Sequence, residues 1–157
     1  MKSIKYVFLS TLCLLFLASC SNGDDTEVDD EKPSISLAGG FPQSCSELKR
    51  GETYVFKALV SDNVGLASYS LDVHHNFDHH THDDQGSQCG LSAIKDAENP
   101  MIFMENYAVG SGKTSYEVTI ELTIPQDVDT GDYHCAYSVT DVTGWQGRTS
   151  VDVKIVE

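Results

Sequence analysis

Residues 74–84 read His-His-Asn-Phe-Asp-His-His-Thr-His-Asp-Asp and hold five of the six histidines of the chain; the sixth is His134. Neutral imidazole nitrogens suit zinc, copper and nickel, whereas Ca2+ and Mg2+ prefer oxygen, so the cluster points to a divalent transition metal. In extended backbone residues i and i+2 share a face, which lets His80 and His82 chelate one ion while His75 and His79 alternate away. Asp78 can supply an oxygen ligand or hold an imidazole from behind. The expected set is His74, His80, His82 and His134 around one Zn2+, with Cu2+ as second choice and Asp78 in support. The competing reading is a polar, solvated loop.

For that set to form, the His loop and His134 must meet, and the rest of the chain says how. Apolar and polar residues alternate between turn signals and long helical periodicity is absent, so residues 33–157 read as one all-β domain. Strands are expected at 34–37, ending at Gly39-Gly40; at 53–61, with Tyr54, Phe56, Ala58 and Val60 on one face; and at 66–74, with Tyr69, Leu71 and Val73 inward. Further strands are expected at 101–109, at 114–124 up to Pro125, at 133–140 and at 148–156. The stretch Asp129-Thr130-Gly131-Asp132-Tyr133-His134-Cys135 is similar to the immunoglobulin pattern of Asp, Gly, Tyr and Cys at alternate positions. That resemblance implies an immunoglobulin-like β-sandwich of about seven strands, with Tyr133 forming a corner. It also makes strand 66–74 the antiparallel neighbour of the strand that begins at Tyr133. His74 then lies beside His134, and alternation sends both to the outer face if Leu71, Val73, Tyr133 and Cys135 face the core. Two departures from the pattern, no Cys in 53–61 and Trp145 in the last turn, remove the expectation of the usual inter-sheet disulfide.

The loops with Cys45 and Cys89 and the turn with Asp127 and Asp129 should share the pole of the His loop. The first strand begins at the opposite pole. Of the cysteines beyond Cys20, Cys45, Cys89 and Cys135 allow one disulfide and one free thiol. Cys45 with Cys89 is favoured because both sit in loops at the shared pole; Cys135 with either of them is the rival. A nucleophilic Cys135 beside His134 is disfavoured, since adjacent strand residues point to opposite faces. Met101, Phe103, Met104 and Tyr107 are expected to pack the core or its edge.

The N-terminus gives an address. Lys2 and Lys5, an apolar run from Tyr6 to Leu17, and Leu17-Ala18-Ser19-Cys20 follow in the order of a cleavable signal peptide over residues 1–19, and the last four residues resemble the bacterial lipobox with lipidation at Cys20. The apolar run is short for a permanent span. Residues 20–32, with Asp24, Asp25, Glu27, Asp29, Asp30 and Glu31, read as a solvated tether too poor in apolar side chains to fold. Acids just after the lipidated Cys resemble the export signal of surface lipoproteins of the Bacteroidota. That resemblance implies an outer-membrane lipoprotein facing outward, the periplasmic face being the alternative. Loss of Lys2 and Lys5 with the signal takes the formal charge from −14 to −16. Nucleic acid is therefore excluded as a partner, because it needs a basic surface.

Asn76-Phe77-Asp78-His79-His80-Thr81-His82, together with Gly131-Asp132-Tyr133-His134, resembles a family of uncharacterised immunoglobulin-like lipoproteins of the Bacteroidota over most of residues 33–157. The resemblance implies the fold, the lipid anchor and the importance of the His loop, and no activity. The functional expectation is a metal-binding module. The alternative is an adhesion or ligand-binding surface module, recognising a protein or glycan without a functional metal. An enzyme is not expected, since no general-base motif adjoins the cluster and so small a domain offers little cleft.

Overall fold

The computed structural model describes residues 28–82 and 89–157. The expected signal peptide over 1–19, Cys20 and the first part of the acidic run lie outside them. Among the described residues are eight strands: β1 Ser34–Phe41, β2 Ser46–Lys49, β3 Thr53–Ser61, β4 Leu66–His75, β5 Phe103–Ala108, β6 Ser115–Thr123, β7 Gly131–Asp141 and β8 Gln146–Val156. They form a three-stranded sheet, β1-β3-β6, and a five-stranded sheet, β2-β8-β7-β4-β5. Alternation builds the sandwich: Phe56, Ala58 and Val60 of β3 and Val118, Ile120 and Leu122 of β6 are buried on one side, Leu71, Val73, Cys135 and Val139 on the other.

β4 and β7 are antiparallel neighbours in the expected register, with Val73 opposite Cys135 and His74 opposite His134. The Tyr133 hydroxyl donates to the Asp129 carbonyl at 2.6 Å and accepts the Met101 N–H at 3.2 Å, so one phenol ties the start of β7 to two loops. Gly131 has a φ of 132°, and a side chain there would meet the Phe77 ring at 3.0 Å; glycine lets Phe77 pack edge-on against Tyr133 at 5.3 Å. This contact seats the His loop on the sheet.

Three elements differ from the sequence-based expectation. β2, an unexpected eighth strand, pairs in parallel with β8 and is too short to carry an alternation signal. β1 runs through Gly39-Gly40 as an irregularity in its pairing with β3, where a side chain on Gly40 would collide with the Lys57 carbonyl at 2.2 Å. The end of the tether is docked rather than solvated: Asp29 accepts from Asn63 Nδ2 at 3.1 Å and from the Thr143 hydroxyl at 3.0 Å, and its carbonyl accepts from Trp145 Nε1 at 3.0 Å. Residue-local charge cannot reveal such partners, because all three are distant in sequence.

Candidate metal centre

β4 and β7 carry His74 and His134 on the outer face of the five-stranded sheet, and the loop after β4 returns across them. The chain turns at His79, whose φ is 59°. Backbone bonds hold the returning loop, from Asn76 N–H to the Asp132 carbonyl at 2.8 Å and from Lys95 N–H to the Phe77 carbonyl at 3.2 Å. A disulfide joins Cys45 to Cys89, and the Cys45 N–H donates to the Asp152 carbonyl at 2.7 Å. The far part of the loop is thereby fastened to β8 beside the cluster.

The nitrogen donors of His74, His80 and His82 lie within 4.8 Å of one another. The His74 and His82 Nε2 atoms are 3.1 Å apart. That tight set has three members, and His134 closes the remaining side: the six distances between the four ring centres all fall between 4.9 and 5.5 Å. Four imidazoles bound tetrahedrally at metal–nitrogen distances of about 2.0–2.1 Å would have ring centres about 5.2 Å apart. The cluster thus has the size and the near-equal edges of a tetrahedral nitrogen cage. His134 is fully buried at its base, while the His74 and His80 side chains are 23% and 34% exposed, which leaves an approach from solvent.

Three of the rings are held from behind by carboxylates. His74 Nδ1 lies 3.0 Å from Asp72, His80 Nδ1 lies 2.6 Å from Asp78, and His134 Nδ1 lies 2.7 Å from Asp152. A proton on each Nδ1, donated to its carboxylate, leaves the Nε2 lone pair for the centre and fixes the ring's orientation. Burial pushes His134 below the ordinary histidine range despite the opposing effect of Asp152, and so favours the neutral imidazole. A hydrogen bond to His80 is the main influence holding Asp78 below the usual carboxylate range.

Asp78 therefore stands behind His80 in the supporting position. His75 packs on Phe77 at 4.8 Å and His79 bonds the Ser92 carbonyl at 2.9 Å, both away from the cluster. Cys135 is buried and free, and burial pushes its thiol far up, which removes it as a nucleophile. Met101 is buried, whereas Met104 is exposed on β5. Asp72 and Asp152 are the residues that sequence reasoning missed. Asp72-Val73-His74 repeats the spacing of Asp78-His79-His80, so Asp72 was signalled by alternation; Asp152 needed the β7–β8 register, in which it lies opposite His134. Asp132-Tyr133-His134 has the same spacing, but Asp132 bonds Lys154 and Ser92 instead.

No curated protein matches the chain. The family described as Domain of unknown function (DUF4625) matches residues 18–156, nearly the whole chain, and the chain belongs to that family.

Proposed function

We propose that the domain binds one divalent transition-metal ion through His74, His80, His82 and His134, with Zn2+ the best fit and Cu2+ the second. The observation that carries this reading is the set of near-equal distances between the four ring centres, with three rings backed by carboxylates. Four protein ligands make a closed site, which favours a structural or storage role over catalysis. The ion would clamp the loop after β4 onto β4 and β7.

The chain purified without a His tag should hold one zinc per molecule. His80→Ala and His134→Ala should each weaken binding by at least about a hundredfold, because structural sites of four ligands are worth about 10–16 kcal/mol in all. Absence of zinc or copper binding in the micromolar range would sink the proposal. Zinc retained unchanged by His134→Ala would reduce the site to His74, His80 and His82.

We also propose, from the N-terminal sequence alone and its resemblance to surface lipoproteins of the Bacteroidota, that the chain is anchored through Cys20 in the outer membrane and faces outward, with the periplasmic face as the alternative. Its support is the order of charged start, apolar run, Leu17-Ala18-Ser19-Cys20 and acidic segment. A Cys20→Ser variant should lose lipid labelling and leave the membrane fraction; unchanged labelling would overturn the anchor. The surface-module alternative draws on exposed Ile102 and Met104 beside the histidines, 72% and 70% accessible, which could contact a protein or glycan.

A further inference from the structure

The opposite end of the sandwich carries a second constellation, made of oxygen. Asp29 lies before β1, Asp62 in the β3–β4 turn and Asp141 at the end of β7, and one carboxylate oxygen from each lies within 4.8 Å of the others. Backbone demand explains half of two of these side chains. Asp62 Oδ2 accepts the N–H groups of Val64 and Gly65 at 2.8 and 2.6 Å. Asp141 Oδ1 accepts the N–H groups of Thr143, Gly144 and Trp145 at 2.6–2.9 Å, and it shares the single Thr143 hydroxyl proton with Asp29.

The other halves are unexplained. Asp62 Oδ1 and Asp141 Oδ2 are buried without a hydrogen-bond partner, and Asp141 as a whole is only 2% exposed. No ion pair among the described residues involves any of the three aspartates. Two lysines near this end are turned onto aromatic rings, Lys32 over Trp145 at 5.9 Å and Lys113 over Tyr116 at 4.5 Å from the ring centre. Buried carboxylate oxygens are costly unless a donor or cation meets them. Here three carboxylates converge, and no ion pair among the described residues offsets their charge.

We propose that Asp29, Asp62 and Asp141 form a Ca2+ site that fastens the end of the acidic tether to the domain. The donor set is all oxygen, which suits a hard cation and not zinc; Ca2+ tolerates irregular geometry and completes its six to eight ligands with carbonyls and water, whereas Mg2+ demands a near-ideal octahedron. Ca2+ affinity should be on the order of 10⁻⁴–10⁻³ M, the range of extracellular modules. The ion would set the direction in which the chain enters the domain, since Asp29 belongs to the segment before β1. The site is independent of the histidines: His134 and Asp141 are separated along β7 by about 23 Å at about 3.3 Å per residue.

Trp145 is the one tryptophan of the chain and donates to both Asp29 and Asp141, so it serves as a built-in reporter. The chain in detergent would be titrated with Tb3+ under excitation of Trp145, then with Ca2+ as competitor. Sensitised Tb3+ emission is expected, displaced by Ca2+, reduced at least tenfold in Asp29→Asn and Asp62→Asn, and unchanged in His80→Ala. Asp29→Asn keeps the test meaningful if changes at the turn aspartates impair folding, because it lies outside the strands. Emission that Ca2+ does not displace, or that persists equally in Asp29→Asn and Asp62→Asn, would overturn the site.

Discussion

The two ends of β7 solve opposite problems. Near its start, His134 faces a loop of more than twenty residues that must be brought back across the sheet before the imidazoles can meet. Near its end, Asp141 sits in a tight turn whose backbone has already aimed its carboxylate. The nitrogen cage is assembled by long-range fastening, through a disulfide, an aromatic contact and three supporting carboxylates. The oxygen cluster is assembled by local turn chemistry plus one visiting tether residue. Agents that loosen loops should therefore damage the first and spare the second.

The largest break in that symmetry should come from Cys45→Ser combined with Cys89→Ser. Removing a link across 44 residues should cost about 4 kcal/mol of stability by the loop-entropy relation, read as a lower denaturation midpoint. Zinc binding should weaken with it, while Tb3+ emission from the folded protein stays; parallel loss of both would contradict the division. A smaller and sharper effect is expected from Asp152→Asn, which keeps the shape but removes the charge behind His134. Zinc affinity should fall about 10–100-fold with the fold intact, measured by competition with a chromogenic chelator. An unchanged affinity would mean that the carboxylate does not tune the ring.

Much of this arrangement is legible in the sequence. The bounds of β3 followed from alternation alone, and the resemblance of Asp129–Cys135 to the immunoglobulin pattern implied the neighbour of β4, hence the meeting of His74 and His134. What stayed hidden depended on pairings between distant segments. β2 exists because β8 offers it an edge, and Asp152 reaches His134 only through register. Asp29 is indistinguishable in composition from the acids around it; Asn63, Thr143 and Trp145 set it apart. Asp62 and Asp141 each accept from N–H groups of their own turns, as turn aspartates commonly do, and only the orphaned second oxygens reveal more.

Cys135 follows His134 in the chain yet faces the core, sealed from the solvent side on which the histidines gather. A free thiol and a disulfide in one small domain are a standing hazard, because a thiolate that reaches the bond can exchange with it and leave a wrongly paired chain. Strand alternation separates the two only while the sandwich is closed. Each opening of the core is thus a chance for mispairing, and a ligand gripping His134 would hold shut the strand that buries the thiol one residue away.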